Sequence, residues 1–133
     1  MSRELLVQNP RPDGYHLMME LFGCDPEKIN SRKFLHLLVK TAVKKAGLTN
    51  LGSRFHQFDP QGVTGFTLLA QSHISLHTWP EYGYLVLDIF TCGGQKQADS
   101  LADEFLRRLH PARINRQVVR KGFQFFRDGL DTA

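Results

Sequence analysis

The chemistry-bearing side chains of this 133-residue chain concentrate in one stretch, Ala70–Glu81, which carries Ser72, His73, Ser75, His77 and Glu81. Cys92 follows at the end of the run Asp88-Ile89-Phe90-Thr91, ahead of Gly93-Gly94. A serine with a histidine can be a nucleophile with its base. With the cysteine just before two glycines they form a reactive constellation. No Gly-x-Ser-x-Gly elbow and no third triad partner accompany Ser72, so ordinary serine hydrolysis lacks its motif. His73, His77 and Cys92 are zinc-ligand types. Two residues four apart on a strand are separated by about 13 Å, however, so no metal site is expected without a bend. The bland reading of either histidine is a hydrogen-bonded group on a strand surface. Alternation puts Ser72 and His77 on opposite faces of a strand. For them to cooperate, the chain must turn sharply at Gln71-Ser72.

The elements that would position these groups follow from pattern. Residues 1–13, with Pro10, Pro12 and Asp13-Gly14, read as a loose arm ending in a turn. Tyr15–Phe22 is a strand closed by Gly23, and Cys24-Asp25-Pro26 a turn whose cysteine is a small buried group. Asn30 or Ser31 caps a helix to about Ala46, with Leu35, Leu38, Val39, Ala42 and Ala46 on one face and Gly47 as the stop. Strands follow near Leu51–Phe58, Val63–Ala70 and Ser72–Thr78, with a turn at Asp59-Pro60-Gln61-Gly62. Trp79-Pro80 begins another turn. Tyr84–Thr91 is apolar on both faces apart from Asp88, the pattern of a strand covered on two sides. Lys96–Leu109 is a helix with Ala98, Leu101, Ala102, Phe105 and Leu109 as its stripe, Ala112–Lys121 a last strand, and 128–133 a frayed tail.

The order β-α-β-β-β-β-α-β implies an α+β fold, a two-layer α/β sandwich with a largely antiparallel sheet and both helices on one face. Since Tyr84–Thr91 is apolar on its second face too, a second copy of the chain is the expected cover, and a homodimer the expected state. The length suits a single domain, 1–133. The mean hydropathy is −0.30, no run is long enough to span a bilayer, and no signal-peptide pattern opens the chain. The expected location is therefore cytoplasmic, where Cys24 and Cys92 stay reduced. The net charge is +4, but the basic residues are spread along the chain. A solvated basic face is expected rather than a nucleic-acid partner.

Ser72-His73-Ile74-Ser75-Leu76-His77-Thr78-Trp79-Pro80-Glu81, then Gly83-Tyr84, then Asp88-Ile89-Phe90-Thr91-Cys92-Gly93, resemble the signature of the short prokaryotic S-adenosylmethionine decarboxylase proenzymes. Upstream, Gly14-Tyr15-His16-Leu17 with Glu20–Asp25, and His56-Gln57-Phe58 with Pro60–Gly65, are similar to the same family. The matches extend over most of residues 14–94.

The resemblance implies a zymogen that cleaves itself between Gln71 and Ser72 into 1–71 (β chain) and 72–133 (α chain). Ser72 would attack the Gln71 carbonyl to give an ester, His77 would assist removal of the α-proton, and Ser72 would end as a pyruvoyl group. Thr64 stands where the family has a hydroxyl that assists processing. That cofactor, needing neither metal nor pyridoxal phosphate, would form a Schiff base with the substrate amine and accept the electrons released with carbon dioxide. Cys92 matches the family's proton donor, Phe58 the adenine-stacking position and Glu81 the ribose-holding one. The family usually has glutamate before the cleaved serine, whereas this chain has Gln71. The implied activity is decarboxylation of S-adenosylmethionine for polyamine (spermidine) synthesis. The alternatives are the same chemistry on arginine or ornithine, and a non-catalytic basic binding module.

Overall fold

A computed structural model describes residues 12–92 and 94–125. The strands are β1 (Asp13–Phe22), β2 (Asn50–Gln57), β3 (Val63–Leu69), β4 (Ser72–Trp79), β5 (Tyr84–Cys92) and β6 (Arg113–Gly122). The helices are α1 (Pro26–Ile29), α2 (Arg32–Lys45) and α3 (Gln95–Leu109), with 3₁₀ turns at Pro80–Tyr82 and Phe123–Phe125. The strands form one sheet in the order β2-β3-β4-β5-β1-β6, with every neighbouring pair antiparallel. α2 lies over β2 and β3, and α3 over β5 and β1, so the long helices share one face. The expected two-layer α+β architecture is what forms. The expected arm falls outside the described residues except at Pro12 and Asp13, and the expected tail falls wholly outside them.

The core is the helix-facing side of the sheet. Leu17, Met19, Leu21, Ile74, Leu76, Leu85, Leu87 and Ile89 are buried there against Leu35, Leu38, Val39 and Ala42 of α2 and Ala98, Leu101, Ala102 and Phe105 of α3. Burial of one such aliphatic side chain contributes roughly 1.5–3 kcal/mol. α2 begins where Ser31 Oγ accepts from the Phe34 N–H at 3.0 Å, the capping that the sequence pattern predicts. α3 ends at His110, whose φ of 45° lies in the left-handed region and turns the chain before Pro111.

Two local readings change. Asp13-Gly14 is not a turn but the start of β1. Gly14 pairs with Cys92 on one side and Lys121 on the other, and two-sided pairing outweighs the turn preference of the dipeptide. A Cβ at Gly14 would meet Phe90 Cζ at 2.6 Å. A strand glycine here marks a close approach. Cys24-Asp25-Pro26 is not a bare turn either. Asp25 Oδ1 accepts from the Glu27 N–H at 2.9 Å and opens α1, with Pro26 in its first turn. Burial pushes the Cys24 thiol up to about 11, in keeping with a packing role.

Among the described residues, no helix covers the other face of the sheet. His16, Met18, Glu20 and Phe22 of β1 line it, with Tyr84, Val86, Asp88 and Phe90 of β5. His73, Ser75, His77 and Trp79 of β4, and Thr64, Phe66 and Leu68 of β3, complete it. Phe66, Leu68 and Trp79 are 46%, 50% and 41% exposed.

Candidate active site

The β3–β4 hairpin brings the first cluster together. Leu69 pairs with Ser72, so Ala70 and Gln71 form the turn between them. Gln71 is held at φ 62°, a left-handed conformation that costs a residue with a Cβ on the order of 1 kcal/mol. The chain thus turns sharply just before Ser72, not between Ser72 and His77. β5 runs beside β4 in a register that ends with Cys92 next to the hairpin, and Cys92 Sγ donates to the Gln71 carbonyl oxygen at 2.7 Å. A thiol hydrogen on that oxygen is aimed where negative charge would develop if the carbonyl were attacked. Ser72 itself is buried, its side chain in phase with Ile74, Leu76 and Thr78 on the helix side of β4.

The second cluster sits farther along the sheet. Thr64 and His77 are cross-strand partners, and Thr64 Oγ1 lies 3.0 Å from His77 Nδ1. His56 pairs with Thr64 from the other side. Phe58 stands edge-on to His56, with ring centroids 4.6 Å apart. The Asp59–Gly62 turn folds back so that Gly62 O accepts from the Phe58 N–H at 2.8 Å. Gln61 Nε2 donates to Glu81 Oε2 at 3.2 Å. Thr64, His77, Phe58 and Glu81 thus belong to one end of the open face.

Ser72 and His77 do not meet within one chain. Five residues of strand separate them by roughly 16 Å, and their side chains leave opposite faces. The hairpin turn redirects the chain before Ser72 and leaves β4 straight beyond it. The alternation read from sequence holds.

A cavity of about 430 Å³ opens beside the Gln71–Ser72 bond. Leu68, Leu69, Gln71, Ser72 and His73 of the hairpin line it, with His16, Phe90 and Lys121. His73 stacks on Phe90 and on Phe66, with centroids 5.8 and 5.5 Å away. His16 Nε2 lies 2.6 Å from Asp88 Oδ1, which accounts for the one polar residue in the apolar pattern of β5. Lys121, in the penultimate position of β6, has no signal in the sequence that ties it to Ser72. It arrives through the β1–β6 register.

A larger hollow of about 730 Å³ lies on the helical side, lined by Lys45, Asp99, Glu104 and Arg107 among others. It is an ion-pair network rather than a reactive site. Glu104 is buried and takes Arg107, Lys45 and Arg108 at 2.6, 3.1 and 3.0 Å. The hydrogen bond from Arg107 is the main cause that holds its carboxyl at about 2. At the far end of the open face, the Tyr84 hydroxyl donates to Glu20, which lowers the Glu20 carboxyl and raises the Tyr84 phenol.

Comparison with known proteins agrees with this geometry. The family model described as S-adenosylmethionine decarboxylase matches residues 15–122. The chain is 43% identical over 109 residues to a proenzyme of that name from Sulfurihydrogenibium sp., covering 82% of each protein. It is 50% identical over 95 residues to another from Prochlorococcus marinus, covering 71% of this chain and 75% of that one. The crystal structure of the adenosylmethionine decarboxylase from Aquifex aeolicus superposes with a TM-score of 0.81 at 40% identity, over 86% of this chain and 94% of that one. A Trypanosoma brucei AdoMetDC monomer shares the fold at a TM-score of 0.58 and 14% identity, with 45% of its length covered. A matched span from β1 to β6, carrying the hairpin serine, the cross-strand Thr64–His77 pair and the strand-end thiol, shows that this chain belongs to the S-adenosylmethionine decarboxylase family.

Proposed function

We propose that the chain is a self-cleaving, pyruvoyl-dependent decarboxylase of S-adenosylmethionine acting in polyamine synthesis. The observation that carries this reading is the Cys92 thiol on the Gln71 carbonyl, at the peptide bond preceding Ser72. Ser72 Oγ attacks that carbonyl carbon, the C–N bond breaks, and an ester links residues 71 and 72. Cys92 holds a proton against the oxygen as charge builds there. A base then removes the Ser72 α-proton and the ester oxygen departs with the 1–71 chain. The elimination leaves dehydroalanine at residue 72; its imine tautomer takes up water and releases ammonia, and the pyruvoyl group so formed would supply an electron sink for an amino acid losing carbon dioxide. The residues present suit such a group: it derives from Ser72 itself, a cavity adjoins it, and Cys92 has a proton for the carbon that loses its carboxylate.

The base and the substrate-holding groups come from a second copy. Thr64, His77, Phe58 and Glu81 lie too far along the sheet to serve the Ser72 of their own chain. Two open faces packed about a twofold axis would bring the Ser72–Cys92 cluster of one chain against the His77 cluster of the other. Exposed Phe66, Leu68 and Trp79 favour such burial. In each composite site His77, oriented by Thr64, takes the α-proton. Phe58 offers a face for adenine and Glu81 a carboxylate for the ribose diol.

Mixing variants tests the composite site. Ser72→Ala and His77→Ala chains each stay whole when made alone. Co-expressed, the His77→Ala chain should be cut by the His77 of its Ser72→Ala partner, visible as fragments 1–71 and 72–133 by intact mass. Absence of fragments in the mixed protein would refute assembly across copies. Labelled carbon dioxide released from S-adenosylmethionine, and not from arginine or ornithine, tests the substrate.

A further inference from the structure

We propose that Lys121 anchors the α-carboxylate of the amino-acid substrate, an inference that rests on the decarboxylase reading above. Lys121 belongs to the last strand, far from the motif in sequence, yet it lines the cavity that opens on Ser72. Two strand pairings bring it there. Lys121 is opposite Gly14, and Gly14 is opposite Cys92, whose thiol contacts the Gln71 carbonyl. The two intervening spacings amount to about 10 Å between backbones, and the lysine stem leans across β1 toward the cavity.

Nothing but hydrogen at position 14 allows that lean. A Cβ on Gly14 would stand 2.6 Å from Phe90 Cζ and 3.4 Å from Lys121 Cβ. The Phe90 ring instead lies over the glycine, and Lys121 Nζ sits 5.7 Å from the ring centroid. The ring gives the ammonium a partial, non-ionic partner.

The two imidazoles of the cavity have neighbours of their own. His16 is bonded to Asp88 at 2.6 Å, and His73 is stacked on both Phe66 and Phe90. Among the described residues, Lys121 forms no ion pair. The exposed ammonium is thus available to an anion that enters the cavity, whose other lining is apolar side chains, two imidazoles, Gln71 and Ser72. An α-amino acid whose amine reaches residue 72 carries its carboxylate one carbon away, inside the same cavity. Holding that carboxylate fixes the bond to be broken relative to the residue 72 carbon. The decarboxylated product has no group for Lys121, so the lysine favours substrate over product.

The Ser72→Ala protein, which cannot cleave, separates binding from turnover. Calorimetry would measure its affinity for S-adenosylmethionine and for decarboxylated S-adenosylmethionine. Adding Lys121→Met should weaken the first by about tenfold or more and leave the second unchanged, and Lys121→Arg should retain most of the difference. Lys121 is exposed on an edge strand, so the fold tolerates both changes. Equal loss for both ligands, no loss for either, or no binding of S-adenosylmethionine to the Ser72→Ala protein would overturn the assignment. Wild-type release of carbon dioxide is read separately. If it persists while Lys121→Met leaves the discrimination intact, only the anchor fails, and if it is missing the decarboxylase reading fails.

Discussion

At the scale of single residues, the site turns on the carbonyl of Gln71. Its strained φ of 62° and its hydrogen bond from Cys92 both bear on the same peptide unit. In the proposed cleavage it is the backbone carbonyl that reacts, so the amide of Gln71 can stand where the family usually has a carboxylate. Gln71→Glu should therefore cleave at least as fast as wild type. Cys92→Ala removes the one side-chain donor that the described residues place on this oxygen, and the rate of chain cleavage should fall by roughly 100-fold. Timed intact-mass measurements on refolded protein would follow it. Cleavage at the wild-type rate would leave Cys92 as a strand-end thiol with no part in processing.

At the scale of elements, the long helices hold the sheet in place with an ionic clamp as well as an apolar stripe. Glu104 lies among the buried residues of α3 and draws Lys45 from the end of α2. A carboxyl held at about 2 against an ordinary 4.5 stabilises the fold fully above about 4.5, and this contribution fades as pH falls from 4.5 toward 2. The sign is the one expected of a carboxylate whose charged form is favoured by folding. Glu104→Gln should lower the unfolding midpoint at pH 7, and the deficit should shrink between pH 4.5 and 2. Thermal unfolding monitored across that range would check it, and a deficit independent of pH would show that packing, not charge, is what the substitution disturbs.

For the whole molecule, the open sheet face is the organising fact. β5 buries Leu85, Leu87 and Ile89 under the helices and leaves Val86 and Phe90 on the other side. A single chain therefore presents Phe66, Leu68, Trp79 and Phe90 beside the reacting groups. Light scattering at micromolar concentration should give the mass of two chains before and after cleavage. Phe66→Glu, which puts charge into the middle of that face, should yield monomers that fail to cleave. A monomeric wild-type protein that still processes would contradict the composite site.

How much of this was legible in the chain itself depends on the range of the interaction. The apolar periods of α2 and α3 and the alternation of β4 are local, so they determined the elements, their buried faces and the opposition of Ser72 to His77. The turn chemistry at Asp13-Gly14 misled because pairing from two neighbouring strands decides that segment. The burial of Glu104 was hidden because its partner Lys45 lies on another helix. Cys92 meets Gln71, and Lys121 reaches their cavity, only through the registers β4–β5, β5–β1 and β1–β6. Register is fixed by which face must be buried and by the lengths of the connections, summed over the whole sheet, because a one-residue slip would turn every buried side chain outward. The sequence by itself therefore determined which residues could react and which face each would leave; only the tertiary structure decided which of them stand together.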